Sequence, residues 1–507
     1  MRLQRSAVAW DASAPQNEIA DRTYPRSLSL QLELMLASGG DERIWPDPLT
    51  GRNRYGTSVV PAPHEIWFSS STAATTSVAG YRAASEALAV LLRSPSLPVH
   101  DWFDAIRTRI LRSFGIAGTA AILTASGTEA ELMTLAVARA LLDGPLTNML
   151  IAPHETGSGV PRAAAGKHFL ASAPHQGTVD SGLRIEGLLG TDVDVVSVAL
   201  RHADGRRRPC AEVDNEVLAR SASLSRALLL HVLDTSKTGL SGPSPDVART
   251  LLKAAPDRVL VAVDACQLRC SATDIKDYLS DGFMVLLTGS KFLGGAPFCG
   301  CLLLPPAIAD ALAEAPPAPA GLAAYSASFD VPQRLRGWFA HGFGAVANIG
   351  LGLRWTTALA ELDRYEAIRE ALRARILATF IEQVRARASA IPWLRCEAPG
   401  AAIDPNRGSI VTLVIEDFRR GPAAMQEAAA LHARLREPRR DLMGDAICHL
   451  GQPVVVGDRA ALRICASAPL VSDIAKRLAA GLSFETAFAP VTRDLDTVFA
   501  KWAAIVG

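Results

Sequence analysis

Seven apolar, strand-like runs alternate with helical stretches between residues 120 and 304, and that alternation leaves few folds open. The runs cover 120–124, 149–152, 193–198, 227–233, 259–263, 284–288 and 301–304. Each is apolar on both faces, as strands buried on both sides must be. Helical spacing recurs between many of them, at 126–142, 213–223 and 245–255. The pattern predicts an α/β fold with a mostly parallel seven-stranded sheet between helices.

The flanks read differently. Residues 1–80 form an N-terminal arm with one short helix near 26–37, and helical spacing returns at 76–92 and 102–114. Residues 81–343 make up the large domain. From 344 to 388 the chain reads as one long helix interrupted only by glycines, the expected hinge. Beyond it, strands (409–415, 461–466) mix with helices (422–436, 473–482, 494–503). Residues 344–507 are therefore expected to form a smaller α+β C-terminal domain. A chain of 507 residues is too long for one ordinary core, which agrees with this division.

Charge narrows the class of partner. Lys plus Arg (52) nearly cancels Asp plus Glu (51), so no basic excess points to nucleic acid or an anionic membrane. The start lacks an apolar signal core and no run of about 18 apolar residues appears, so a cytoplasmic protein is expected. The eight cysteines are scattered without a C-x-x-C pair and read as reduced core thiols, with no metal site.

Three segments carry chemistry. Lys291 follows the apolar run 283–287 in a turn of small residues (Thr288, Gly289, Ser290, then Gly294 and Gly295). An ammonium delivered there by a buried strand is costly unless it is paired, neutralised or converted into a Schiff base with an aldehyde cofactor. A lone strand-end lysine can also simply snorkel to the surface. Asp264 ends the run 259–263, 27 residues earlier. It could hold a ring nitrogen protonated, or cap a turn. Gln267 lies three residues on. Ser126, Gly127, Thr128 and Glu129 join a strand-like run to a helix start, where free N–H groups and hydroxyls suit a phosphate. The same residues would serve an ordinary capping motif.

The order of phosphate turn, acidic strand end and lysine is the order that pyridoxal 5′-phosphate (PLP) requires. From about residue 80 to the C-terminus the chain resembles the fold-type-I PLP-dependent enzymes, the aspartate aminotransferase superfamily. Within it the class V branch, with cysteine desulfurases and kynureninase, is most similar. The segment around Lys291 also resembles that of group II PLP decarboxylases. The resemblance implies that Lys291 binds the cofactor covalently and that Asp264 pairs with the pyridine nitrogen. Ser126, Gly127, Thr128, Thr288 and Ser290 would take the phosphate. Ser236 and Gln267 would approach the phenolic oxygen. His154 is the candidate for stacking on the ring, although a register set by Val160 and Pro161 puts Glu155 or Thr156 there instead. Arg463 would grip the substrate carboxylate. His449 is expected to approach the cleft, and Arg43 reads as a solvated arm residue.

The implied activity is that of a PLP-dependent enzyme acting on an amino acid through an external aldimine and a Cα carbanion, most similar to an aminotransferase. The alternatives are a PLP-dependent lyase (an amino-acid decarboxylase or a C–S or C–C lyase) and a PLP-fold ligand sensor without catalysis. A desulfurase needs a mobile cysteine, for which Cys396 and Cys448 are available. The resemblance also implies a homodimer, with residues near Tyr325 to Ser328 or Phe339 to Phe343 reaching a partner's site.

Overall fold

The computed structural model describes residues 26–94, 98–188, 193–339, 343–397, 407–438 and 446–506. Seven strands form the large sheet: β2 (Ala120–Thr124), β3 (Leu146–Ile151), β6 (Val193–Val198), β7 (Ala227–Leu233), β8 (Val259–Asp264), β9 (Met284–Thr288) and β10 (Gly300–Leu304). Their order is β2-β10-β9-β8-β7-β3-β6. β9, β8, β7, β3 and β6 run parallel, while β10 is antiparallel to both β9 and β2. A short hairpin, β4 (Ser172–Ala173) with β5 (Gly177–Thr178), lies outside this sheet.

The two faces of the sheet feed separate cores. Ala121 and Leu123 point into one, Ala120 and Ile122 into the other. That alternation explains why the strands read as apolar throughout. The Gly127–Leu141 helix packs on the second face and is buried from Thr128 to Ala138.

A second sheet has the order β1-β13-β14-β12-β11, built from β1 (Ile66–Phe68), β11 (Leu394–Cys396), β12 (Ile410–Ile415), β13 (Cys448–Val456) and β14 (Arg459–Cys465). β1 comes from the N-terminal segment and pairs in parallel with β13, Ile66 opposite Cys448. The arm is thus stitched into the C-terminal sheet. Sequence periodicity misses a three-residue strand whose order comes wholly from its partner. β13 is also missed, because Gly451, Gln452 and Pro453 interrupt it at a register shift between Gly451 and Val454.

The expected long helix at 344–388 is two helices, Ile349–Glu366 and Glu370–Ser389. Its glycines do not break it. A Cβ at Gly350 would lie 2.3 Å from the Met35 carbonyl, and one at Gly352 would lie 2.4 Å from the Trp102 ring. They let the helix seat against its neighbours. Among the described residues no helix is long and apolar enough to cross a membrane.

Candidate active site

Sheet register places the chemistry at one edge. Asp264 at the end of β8 lies opposite Leu233 of β7 and Leu286 of β9. Gly300 of β10 lies opposite both Thr288 and Thr124. The turns after β2, β7, β8 and β9 therefore open into one cleft, outside the carboxyl ends of the strands. Lys291, Asp264, Gln267, Thr288, Ser290, Ser126, Gly127, Thr128 and Arg463 all line it.

Ser126 caps the Gly127–Leu141 helix, its Oγ accepting the Thr128 N–H at 3.1 Å. The same hydroxyl donates to Glu129, which burial holds up at about 7 with Asp41 adding to the rise. Capping and an anion cradle coexist here, because the cap orients the helix N-terminus toward the cleft. Gly127 has no room for a side chain: a Cβ would lie 2.8 Å from Cys266 Sγ.

Arg43 stands beside this cradle, contrary to its reading as a solvated arm residue. It is buried, clasped by Asp41 (Nε to Oδ1 2.8 Å), and its Nη2 lies 3.4 Å from Ser126 Oγ. The Phe169 and Phe298 rings cover its guanidinium.

Asp264 Oδ1 accepts the Cys266 N–H at 3.0 Å, and Thr288 Oγ1 donates to the Cys266 carbonyl at 2.7 Å. These bonds lock the ends of β8 and β9 together. Gln267 donates to the Ser71 carbonyl at 3.0 Å, while its Oε1 is buried without a partner among the described residues. Lys291 makes no ion pair among the described residues.

Arg463 comes from β14 and is 1% exposed. It donates to the carbonyls of Lys237 (3.0 Å) and Gln452 and to Thr72 Oγ1 (3.3 Å). All three partners are neutral, and burial lowers its pKa to about 10.

Several of the expected residues lie elsewhere in the fold. His154 is exposed and does not line the cleft. Ala152 adopts φ 40°, and the turn Pro153–Glu155 that follows buries Glu155 and turns His154 outward. Glu155 and Thr156 line the cleft instead. Ser236 is buried outside the lining, its hydroxyl given to Glu155 Oε2 at 2.8 Å. It closes the turn after β7, and Thr235 and Lys237 face the cleft. His449 stacks on Trp67 at 3.6 Å and meets Glu65 at 2.7 Å, away from the lining residues. Tyr325 is buried against His168, and Phe339 packs on Trp338 in the core. Residues 340–342 lie outside the described residues. Cys396 and Cys448 do not line the cleft, whereas Cys266 does.

Two charged residues of the lining, Glu155 and Lys237, carry contacts that the sequence did not point to. Glu155 forms an ion pair with Arg201 (2.5 Å), which also holds Glu397 near the second sheet (2.7 Å). Lys237 reaches the Thr156 carbonyl at 3.2 Å, and burial, then Arg463, lowers its pKa to about 8. Its sequence signal was the one that exposed Lys291: a lysine in a small polar turn after an apolar run.

The donor set fits PLP: hydroxyls and free N–H groups for a phosphate, a carboxylate for a ring nitrogen, and an unpaired amine for an aldehyde. No protein-family model and no curated protein sequence matches the chain. Solved structures do match. A cysteine desulfurase from Escherichia coli aligns with a TM-score of 0.53 at 14% identity, over 88% of this chain and 95% of that one. An alanine–glyoxylate aminotransferase from Nostoc sp. gives 0.53 at 13% identity, over 88% and 97%. A 4-hydroxyphenylacetaldehyde synthase from Rhodiola rosea gives 0.50 at 14% identity, over 97% and 93%. Two sheets in this arrangement, and neighbours of this kind over nearly their whole length, give the chain the fold of the fold-type-I PLP-dependent enzymes.

Proposed function

We propose that the protein is a PLP-dependent enzyme that acts on an amino acid, with aminotransferase-like chemistry. One observation carries this: Lys291, Asp264 and the Ser126–Gly127–Thr128 turn, far apart in sequence, face one cleft. When bound, the cofactor supplies an aldehyde for the substrate amine and a protonated ring that draws electrons from a bond at Cα.

The residues divide the remaining work. The Gly127–Leu141 helix N-terminus and its hydroxyls hold the phosphate. Asp264 keeps the ring nitrogen protonated through a charge-assisted hydrogen bond. Lys291 would hold the cofactor through its side-chain amine and would move a proton at Cα. Arg463 orients the α-carboxylate.

Arg463 also favours loss of Cα–H over loss of carbon dioxide. A charge-assisted bond stabilises the carboxylate as an anion and opposes its departure as a neutral gas. Cysteine desulfurization with Cys396 or Cys448 gains no support, since neither lines the cleft. The homodimer remains a proposal that rests on the resemblance, and sedimentation tests it.

Product analysis of an amino-acid panel, with and without 2-oxoglutarate, tests the reaction. Keto acid formed only with the acceptor supports transamination. Carbon dioxide release, or substrate binding without turnover, contradicts it.

A further inference from the structure

We propose that Glu129 is a positioning residue of the phosphate cradle and that capture of the cofactor phosphate takes up a proton, which settles on Glu129. This rests on the reading of the cleft as a PLP site.

Ser126 has a single hydroxyl hydrogen, and the structure gives it to Glu129 Oε2. The same oxygen accepts the Thr128 N–H at 3.1 Å and keeps a second lone pair, toward which Arg43 makes only a long contact of 3.4 Å. While the hydrogen points at an ionised Glu129, Ser126 has none to give a phosphate. One proton from solvent, added to the Glu129 carboxylate, reverses the bond. Glu129 Oε2–H then donates to Ser126 Oγ, and the Ser126 hydroxyl turns its hydrogen to a phosphate oxygen. The same proton removes a carboxylate charge from beside an incoming dianion.

Glu129 is the carboxyl placed to do this. It is 2% exposed, follows the lining residue Thr128, and its Oε1 has no hydrogen-bond partner among the described residues. Asp41, the neighbouring carboxylate, is committed through both oxygens to Arg43, Nε at 2.8 Å and Nη2 at 2.5 Å. Arg354 spends its donors on the main-chain carbonyls of Phe298, Leu36, Ser38 and Gly39. Burial raises the Tyr55 and Tyr325 phenols, so both stay neutral. Burial, then Asp41, holds Glu129 at about 7 despite Arg43, and a phosphate alongside raises it further. Below that pH the cradle already carries the proton and binding is tightest. Above it each capture must add the proton, so affinity falls as pH rises through 7.

Pyridoxamine 5′-phosphate has no aldehyde and binds without a covalent bond. Calorimetric titration into the full-length cofactor-free protein at pH 8, in buffers of different ionisation enthalpy, counts the protons taken up. The wild type should take up at least half a proton more than Glu129→Gln, whose amide donates to Ser126 at any pH. Where the variant does not fold or bind, the wild type alone decides. Its preference for pyridoxamine 5′-phosphate over pyridoxamine, which lacks the phosphate, should fall at least about tenfold from pH 7 to pH 9. A smaller difference in uptake, or a smaller fall in preference, overturns the proposal. Failure of the wild type to bind pyridoxamine 5′-phosphate would instead refute the cofactor reading beneath it.

Discussion

Arg463 on β14 donates from Nη1 to the main-chain carbonyl of Lys237 at 3.0 Å, which joins the second sheet to the turn after β7 of the first. The Lys237 ammonium and the Arg463 guanidinium hydrogen-bond only to neutral groups among the described residues, with the Glu155 carboxylate nearby. Burial of these charges has a cost in stability that is measurable.

Lys237→Met should stabilise the ligand-free fold at pH 7 by about 1–2 kcal/mol. Burial lowers the Lys237 pKa from 10.5 to about 8. Below pH 8 both folded and unfolded chains keep the proton, so the folded wild type bears the full penalty. Between about 8 and 10.5 only the unfolded chain keeps it, and wild-type stability rises relative to the variant. The gain should therefore be largest below pH 8 and vanish toward 10.5. Denaturant titrations at several pH values check this, and a variant less stable at pH 7 would contradict it.

Arg201→Met should destabilise the protein by about 3–5 kcal/mol, because it strands the buried Glu155 carboxylate and frees Glu397. Thermal unfolding would report the loss. An unchanged midpoint would mean that the hydroxyls of Ser236 and Thr238 alone suffice for Glu155.

Ser126→Ala separates the two roles of the helix N-terminus. Loss of the cap costs about 1 kcal/mol. Loss of a phosphate contact should also weaken equilibrium binding of PLP, measured by fluorescence quenching. A lower melting point with unchanged affinity would reduce Ser126 to a cap.

Asp264→Asn should fold normally and bind PLP, yet turn over on the order of 10²-fold more slowly, the scale of one lost electrostatic contact to a developing charge. Steady-state kinetics decide. Wild-type turnover would mean that the ring proton is held by another group.

The parts of this molecule legible in its sequence are those fixed locally. β2, β7 and β9 are apolar on both faces because both faces are covered, so their runs stand out. Asp264 and Lys291 stand out because each breaks such a run with a charge. What stayed hidden depends on contacts distant in sequence or on backbone geometry. β1 exists because β13 pairs with it. His154 was chosen by residue type, but the left-handed Ala152 shifts the inward position to Glu155. Arg43 looked solvated because Asp41 and two phenyl rings bury it only in three dimensions. Lys237 follows the same rule as Lys291 but stands in no cofactor motif.

That pair of lysines supplies the most direct test. Borohydride reduction of the PLP-loaded protein, followed by peptide mapping, should place the pyridoxyl group on Lys291, with none on the Lys291→Ala variant. A pyridoxyl group on Lys237, or none on any lysine, would contradict the account.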